Sequence, residues 1–128
     1  MTQVILIDDN SADNVTHEAL IRNWNSEVDI SIIDNSEDVL RYLKREFSRT
    51  TEIKGKTAIF LDEIIPYLEG MGLTEYVERM RIEDDADIEV YFLTNNSSEI
   101  LKIKVDMMPD VKMIHKPLTE ANLNQIFA

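Results

Sequence analysis

The apolar positions of the chain fall into five short stretches, separated by segments whose apolar residues recur every three or four positions. Short runs rich in Val, Ile, Leu and Phe are typical of strands, whereas the three-to-four spacing is typical of helices. The predicted strands are Gln3–Ile7, Val28–Ile33, Thr57–Leu61, Ile88–Leu93 and Val111–His115. Strands that alternate with helices at this spacing predict strand–helix–strand units, and therefore an α/β fold with a parallel sheet.

Helix patterns fill the segments between these strands. Two of them carry apolar residues at helical spacing, namely Val39, Leu40, Leu43 and Phe47, and Leu73, Tyr76, Val77 and Met80. Short polar side chains predict helix N-caps at Asn35, at Ser97 or Ser98, and at Thr119. The first helix is expected to end at Trp24, and the last helix is expected to span Thr119–Phe127.

The order of the strands follows from their polarity. The first, third and fourth strands are almost continuously apolar, as expected of central strands covered by helices on both faces. The second and fifth strands alternate apolar with polar residues, as partly exposed edge strands do. The pattern therefore predicts a doubly wound, five-stranded parallel sheet with the order 2-1-3-4-5 and helices on both faces.

Polar residues follow the ends of four of these strands. The first strand is followed by Asp8 and Asp9, the third by Asp62, the fourth by Thr94 and the fifth by Lys116. The carboxyl ends of parallel strands meet at one edge of the sheet, where ligands of such folds bind. We call this edge the carboxyl rim, and we expect the five side chains to converge there.

The expected cluster of carboxylates favours a bound cation. Two carboxylates ~5 Å apart repel each other by roughly 3 kcal/mol at an effective dielectric constant of about 20. A hard divalent ion relieves this repulsion, and Mg²⁺ prefers a few carboxylates together with water and phosphate oxygens. Lys116 and Thr94 could then bind phosphoryl oxygens, and a carboxylate could be the nucleophile that forms an aspartyl phosphate.

Each of these residues also has a simpler explanation when it is taken alone. An Asp pair after a strand such as Asp8-Asp9 is more often a loop or helix cap than a metal site. Thr94 alone would be a strand-end hydroxyl, and Lys116 alone a solvated lysine. The functional interpretation rests on all five residues occurring at one predicted rim, in this order along the chain.

Composition narrows the class of protein. The 128 residues suit one domain, which we expect to span residues 1–128 without an output domain. The net charge of −12 disfavours direct binding to nucleic acid, which needs clustered Lys and Arg. The sequence has no cysteine, no apolar run long enough for a membrane span and no signal peptide, so we expect a cytoplasmic protein without a membrane association.

With these features in place, the sequence resembles the receiver domains of two-component response regulators over nearly its whole length. Four segments carry the resemblance: Val4–Asn10 with the acidic pair, Phe60–Met71, Phe92–Thr94 and His115–Pro117. Within the second segment, a Pro and a Gly follow Asp62 at four and eight residues, as they do after the phosphoacceptor of that family. The resemblance implies a flavodoxin-like fold, and a stand-alone receiver domain of the chemotaxis type.

The resemblance also implies a role for each residue. Asp62 would accept the phosphoryl group, and Mg²⁺ would be bound by Asp8, Asp9, Asp62 and the backbone carbonyl of Ile64. Thr94 and Lys116 would hold the phosphoryl oxygens. The Lys116–Pro117 peptide bond is expected to be cis, since X-Pro bonds adopt this form at little cost.

Two positions depart from the family pattern. Met113 stands where the fifth strand usually carries a Tyr or Phe that switches rotamer, and Asn95 stands where a small residue usually follows the hydroxyl position. These substitutions bear on how phosphorylation would be read out, and the residues of the chemistry itself are all present.

The leading hypothesis is therefore a phosphoacceptor that is not an enzyme. It would be phosphorylated by a histidine kinase or phosphotransfer protein, and it would signal to a downstream protein through direct contact. Two alternatives remain: an interaction module that keeps the receiver fold without phosphorylation, and a Mg²⁺-dependent phosphohydrolase with an aspartyl nucleophile. The phosphohydrolase is disfavoured because the sequence lacks its usual Asp-x-Asp after the first strand and has no room for a cap domain.

Overall fold

The structure, a computed structural model, describes residues 2–34, 41, 55–62, 87–94 and 111–127. These residues form five strands and two helices. The strands are β1 (Gln3–Ile7), β2 (Asp29–Ile33), β3 (Thr57–Asp62), β4 (Ile88–Thr94) and β5 (Val111–His115), and the helices are α1 (Ser11–Trp24) and α2 (Glu120–Ile126). All five predicted strands are confirmed, with boundaries that differ by no more than one residue.

The strands form one parallel sheet with the order β2-β1-β3-β4-β5, as predicted. The register sets the carboxyl ends side by side: Ile7 lies opposite Leu61, and Asp62 lies opposite Leu93. At the other side of β4, Thr94 lies opposite His115. The residues that follow these strands therefore emerge at a common edge, which is the carboxyl rim.

The apolar core lies on the face of the sheet that carries α1 and α2. From the sheet it contains Val4, Leu6, Ala58, Phe60, Tyr91 and Leu93, and from the two helices it contains Ile21, Leu123 and Ile126. On the opposite face, Ile5, Ile59, Val90 and Phe92 are buried as well. Both faces of the three central strands are thus covered, which explains why their sequences are almost continuously apolar.

The ends of the two helices follow from their capping residues. The side chain of Asn10 accepts a hydrogen bond from the backbone N–H of Asp13 and starts α1, which ends at Trp24 as predicted. Thr119 and Asn122 form a reciprocal capping box at the start of α2, so the predicted cap at Thr119 is confirmed. The predicted caps at Asn35 and at Ser97 or Ser98 lie outside the described residues.

The two helical patterns between β2 and β4 also lie outside the described residues, except for Arg41, whose backbone is helical.

At the end of α1 that is distant from the carboxyl rim, the Trp24 ring packs against Phe127 with 5.5 Å between ring centroids. The indole Nε1 of Trp24 also donates a hydrogen bond to Asn124. Neither described helix is long and apolar enough to cross a membrane.

Candidate functional site

The carboxyl rim brings together the backbones of the predicted site residues. Asp8 directly follows β1, Asp62 ends β3, Thr94 ends β4, and Lys116 directly follows β5. Adjacent strands lie about 4.8 Å apart, so Asp8 and Asp62 are neighbours on adjoining strands. The structure describes the backbone of Asp62 but not its side chain, and Ile64 and Asn95 are not among the described residues.

Asp8 is a buried carboxylate whose position is fixed on three sides. Its Oδ1 atom accepts a hydrogen bond of 2.8 Å from the backbone N–H of Asn10. Its backbone carbonyl accepts one of 2.8 Å from the side-chain amide of Asn14, and its backbone N–H donates to the carbonyl of Ile33. Asp9, by contrast, is exposed. The two acids of the pair therefore have different environments: Asp8 is buried and hydrogen-bonded, and Asp9 is exposed.

Lys116 carries the positive charge of the carboxyl rim. Its side chain is 7% exposed, and its Nζ atom lies 3.1 Å from Oδ2 of Asp8 and 2.7 Å from Oδ2 of Asp13. Its backbone N–H donates to the carbonyl of Thr94 at 2.7 Å, and its peptide bond to Pro117 is cis, as predicted. A lysine removed from water to this extent needs paired carboxylates. The simpler interpretation of Lys116 as a solvated lysine is therefore wrong.

Thr94 is completely buried at the end of β4. Its carbonyl binds the backbone of Lys116, so the two residues are fixed relative to each other by the edge of the sheet. Met113 stands where receiver domains usually carry an aromatic residue. It is half-buried in β5 and lies opposite Phe92.

Three residues of α1 belong to this site although the sequence did not indicate them. Asp13 contacts Lys116, Asn14 contacts the backbone of Asp8, and His17 is buried on the same side of the helix. His17 is 3% exposed, although histidine is a residue type found as often at the surface as in the core. A signal was present, because Asn14, His17 and Ile21 recur at the three-to-four spacing of a core-facing helix stripe.

One buried polar atom of this group has no partner in the described part of the chain. The Nδ2 atom of Asn14 donates to the carbonyl of Asp8, which leaves Oδ1 of Asn14 buried without a hydrogen-bond donor among the described residues. The orientation of the amide is fixed by that donated bond, because the carbonyl of Asp8 can only accept.

The pKa of His17 is lowered below its ordinary value of 6.5. Burial is the main cause, and the ammonium of Lys116 lowers the pKa further, whereas Asp13 and Asp8 oppose the shift. The folded protein therefore favours the neutral imidazole. Below about pH 6.5 the unfolded chain binds a proton at this histidine that the folded chain does not bind, so stability falls as the pH falls through this window.

We expect His17→Gln to lose less stability than the wild type between pH 7.5 and pH 5.5. Below the pKa that this histidine has in the unfolded chain, the wild type should lose up to about 1.4 kcal/mol more per pH unit than His17→Gln. The reason is that the imidazole must give up a proton on folding, whereas the glutamine side chain does not titrate. Urea unfolding at the two pH values measures the difference. His115→Gln, at an exposed histidine, is the matched control. An equal loss in the wild type and in His17→Gln would contradict the prediction.

The residues of the carboxyl rim fit a hard divalent cation by their chemistry. Asp8 offers a buried carboxylate that retains accepting capacity beside its two bonds, Asp9 offers an exposed one, and Asp62 follows on the neighbouring strand. Among the residues whose side chains are described, no group of three or more His, Asp or Glu side chains is close enough to hold a metal ion. The carboxylate of Asp62 is not among these described side chains.

Comparisons with known proteins place this arrangement in a familiar fold. Neither protein-family models nor curated protein sequences match the chain. Solved structures do match it over nearly its whole length. A two-component response regulator from Cytophaga hutchinsonii has 21% identity and a TM-score of 0.77, over 99% of this chain and 94% of that one.

Two further structures agree with this match. A response regulator receiver protein from Dyadobacter fermentans has 19% identity and a TM-score of 0.80, over 98% of this chain and 94% of that one. A two-component response regulator from Legionella pneumophila has 23% identity and a TM-score of 0.69, over 99% and 95%. The chain therefore has the fold of response regulator receiver domains. Within the flavodoxin-like group, it is similar to the receivers of two-component signalling.

Proposed function

We propose that this protein is a receiver domain that accepts a phosphoryl group on Asp62. The observation that carries the proposal is the buried ammonium of Lys116, held by Asp8 at the carboxyl rim beside the end of β3. A buried lysine at the end of one strand and a carboxylate at the end of another suit the binding of a phosphoryl group between them. The receiver fold of the chain supports the same function.

Each residue has a role in this proposal. A carboxylate oxygen of Asp62 forms a bond to phosphorus while the bond from phosphorus to the donor breaks, and the donor leaves with that electron pair. Lys116 binds one phosphoryl oxygen through its ammonium, and the Thr94 hydroxyl donates to another.

The proposed metal site uses the acids of the same rim. Asp8, Asp9, Asp62 and the backbone carbonyl of Ile64 would hold Mg²⁺. When bound, the ion would offset the negative charge of the carboxylates and of the transferring group. Asp8 is already fixed by Asn10 and Asn14, so the fold positions this ligand in advance.

We further propose a signalling role rather than an enzymatic one, within a single receiver domain over residues 1–128. A histidine kinase or phosphotransfer protein would donate the phosphoryl group, and a downstream protein would be the target. The net charge of −12 supports protein contacts over nucleic acid as the output. A cytoplasmic location belongs to the proposal as well, and the absence of cysteine supports it.

Intact-mass measurement after incubation with Mg²⁺ and a small acyl phosphate tests the proposal. The wild type should gain one phosphoryl group, because the donor's leaving group is good and the site needs no partner protein to bind it. Asp62→Asn should gain none, and chelation of Mg²⁺ should prevent the gain in the wild type. Asp29→Asn, which makes the same change at an exposed position at the start of β2, should gain the group as the wild type does.

Phosphorylation that persists in Asp62→Asn would assign the acceptor to another residue. A folded wild type that gains no phosphoryl group and binds no beryllium fluoride, a mimic of the phosphoryl group, would contradict the proposal. That result would favour the interaction module, which is supported by Met113 at the usual aromatic position and by Asn95 at the usual small-residue position.

A further inference from the structure

Asp13 occupies a helix position whose ordinary task is performed by another residue. It is the third residue of α1, where an acidic side chain usually bonds back to the N–H of the N-cap residue. Here the N–H of that residue, Asn10, donates instead to Oδ1 of Asp8 at 2.8 Å. The carboxylate of Asp13 is therefore free of the capping role, and it contacts the ammonium of Lys116 at 2.7 Å.

The contact between Asp13 and Lys116 is shorter than the one between Asp8 and Lys116, 2.7 Å against 3.1 Å. The backbone of Asp13 is held by Asn10, whose side chain accepts its N–H at 3.1 Å. The ammonium is thus bound on one side by the edge of the sheet and on the other side by the first turn of α1. The Asp13 side chain is 33% exposed, so water can replace the lysine as its partner more readily than it can for Asp8.

A phosphoryl group on Asp62 would need the same ammonium. We propose that Asp13 is a positioning residue that competes with the phosphoryl oxygens for Lys116, and so favours the unphosphorylated state. The inference rests on the proposed function. In the unphosphorylated protein Asp13 draws Lys116 towards α1, and phosphorylation requires the lysine to give up part or all of this contact.

The competition predicts a gain of binding when Asp13 loses its charge. At saturating Mg²⁺, Asp13→Asn should bind beryllium fluoride about fivefold more tightly than the wild type, the effect expected of a partly exposed ion pair. Isothermal titration calorimetry measures the affinity. A residue with only a structural role would not produce this gain, because loss of structure weakens binding.

Two control variants separate the contact from the charge. Glu18→Gln removes one negative charge from the same helix at a side chain of similar exposure, 37%, whose ion-pair partner is Arg22. It should change the affinity by less than about twofold, since an exposed charge without direct contact is screened. Asp13→Glu keeps the carboxylate and should bring the affinity back towards that of the wild type.

The outcomes are distinct. Tighter binding in Asp13→Asn, together with near-wild-type binding in Asp13→Glu and Glu18→Gln, supports the competition. Binding by the wild type with an unchanged or weaker affinity in Asp13→Asn overturns the inference and leaves the proposed function intact. An equal gain in Glu18→Gln also overturns it, because charge alone would then explain the effect. Absence of binding in the wild type and in every variant overturns the proposed function, and the inference with it.

Discussion

Lys116→Met is expected to weaken the binding of beryllium fluoride by at least about thirtyfold. The change removes a charge-assisted hydrogen bond to the phosphoryl mimic, and such a bond contributes ~2 kcal/mol in a buried site. The methionine keeps much of the volume of the lysine stem, so the edge of the sheet should keep its shape. Calorimetric titration at saturating Mg²⁺ measures the loss of affinity.

The same variant should also be less stable when Mg²⁺ is chelated. The Asp8 side chain is 5% exposed, and without Lys116 its carboxylate loses the ammonium that offsets its burial. The loss of one partner from a buried ion pair costs about 3–5 kcal/mol, and we expect the lower part of this range because Asp13 can turn to solvent. Urea unfolding in a chelator measures the change, and added Mg²⁺ should restore part of the stability.

Lys112→Met is the matched control for both measurements. Lys112 lies on β5 at an exposed position and carries the same charge. It should leave the affinity for beryllium fluoride within about twofold of the wild type, because exposed charges away from the site are screened by salt. Equal effects of the two substitutions on affinity and stability would rule out a special role for the buried ammonium.

Phe60→Ala is expected to lower the free energy of unfolding by about 3–5 kcal/mol. Phe60 lies in the middle of β3, is 1% exposed, and packs its ring against that of Tyr91 with 5.5 Å between centroids. Its removal leaves a cavity below both described helices. Since a domain of this size is stable by about 5–15 kcal/mol in total, this loss is a large fraction of the free energy of unfolding.

Urea unfolding of Phe60→Ala and of Val15→Ala tests this prediction. Val15 is an apolar residue of α1 that is 69% exposed, so its truncation should change the stability by less than about 0.5 kcal/mol. A loss below 1 kcal/mol in Phe60→Ala would contradict the assignment of this residue to the centre of the core.

Much of the fold could be predicted from the sequence, because central strands are almost continuously apolar and edge strands alternate apolar with polar residues. The differences at the strand ends have a physical cause. The predictions stopped β3 and β4 at their last apolar residues, whereas the backbone ladder continues to Asp62, opposite Leu93, and to Thr94, opposite His115. Ladder pairing depends on the backbone, and a polar side chain at the rim does not interrupt it.

The contacts within the candidate site could be predicted less well. The strand ends indicated Asp8 and Lys116, because parallel strands deliver their ends to one edge. Asp13 was missed because its partner lies 103 residues away, and no local pattern distinguishes it from an ordinary acidic residue in a first helical turn. His17 was missed although Asn14, His17 and Ile21 recur at core-facing spacing, because two of these three residues are polar and do not stand out as an apolar stripe.

The packing of Trp24 has a practical consequence for these experiments. Trp24 is the only tryptophan of the chain, and at the far end of α1 its indole donates a hydrogen bond to Asn124 and packs against the tilted ring of Phe127. Its fluorescence emission should therefore report whether the C-terminal helix is docked on α1. This emission should change on denaturation and should change little when a ligand binds at the carboxyl rim. Fluorescence can therefore report folding while calorimetry reports ligand binding in the same sample.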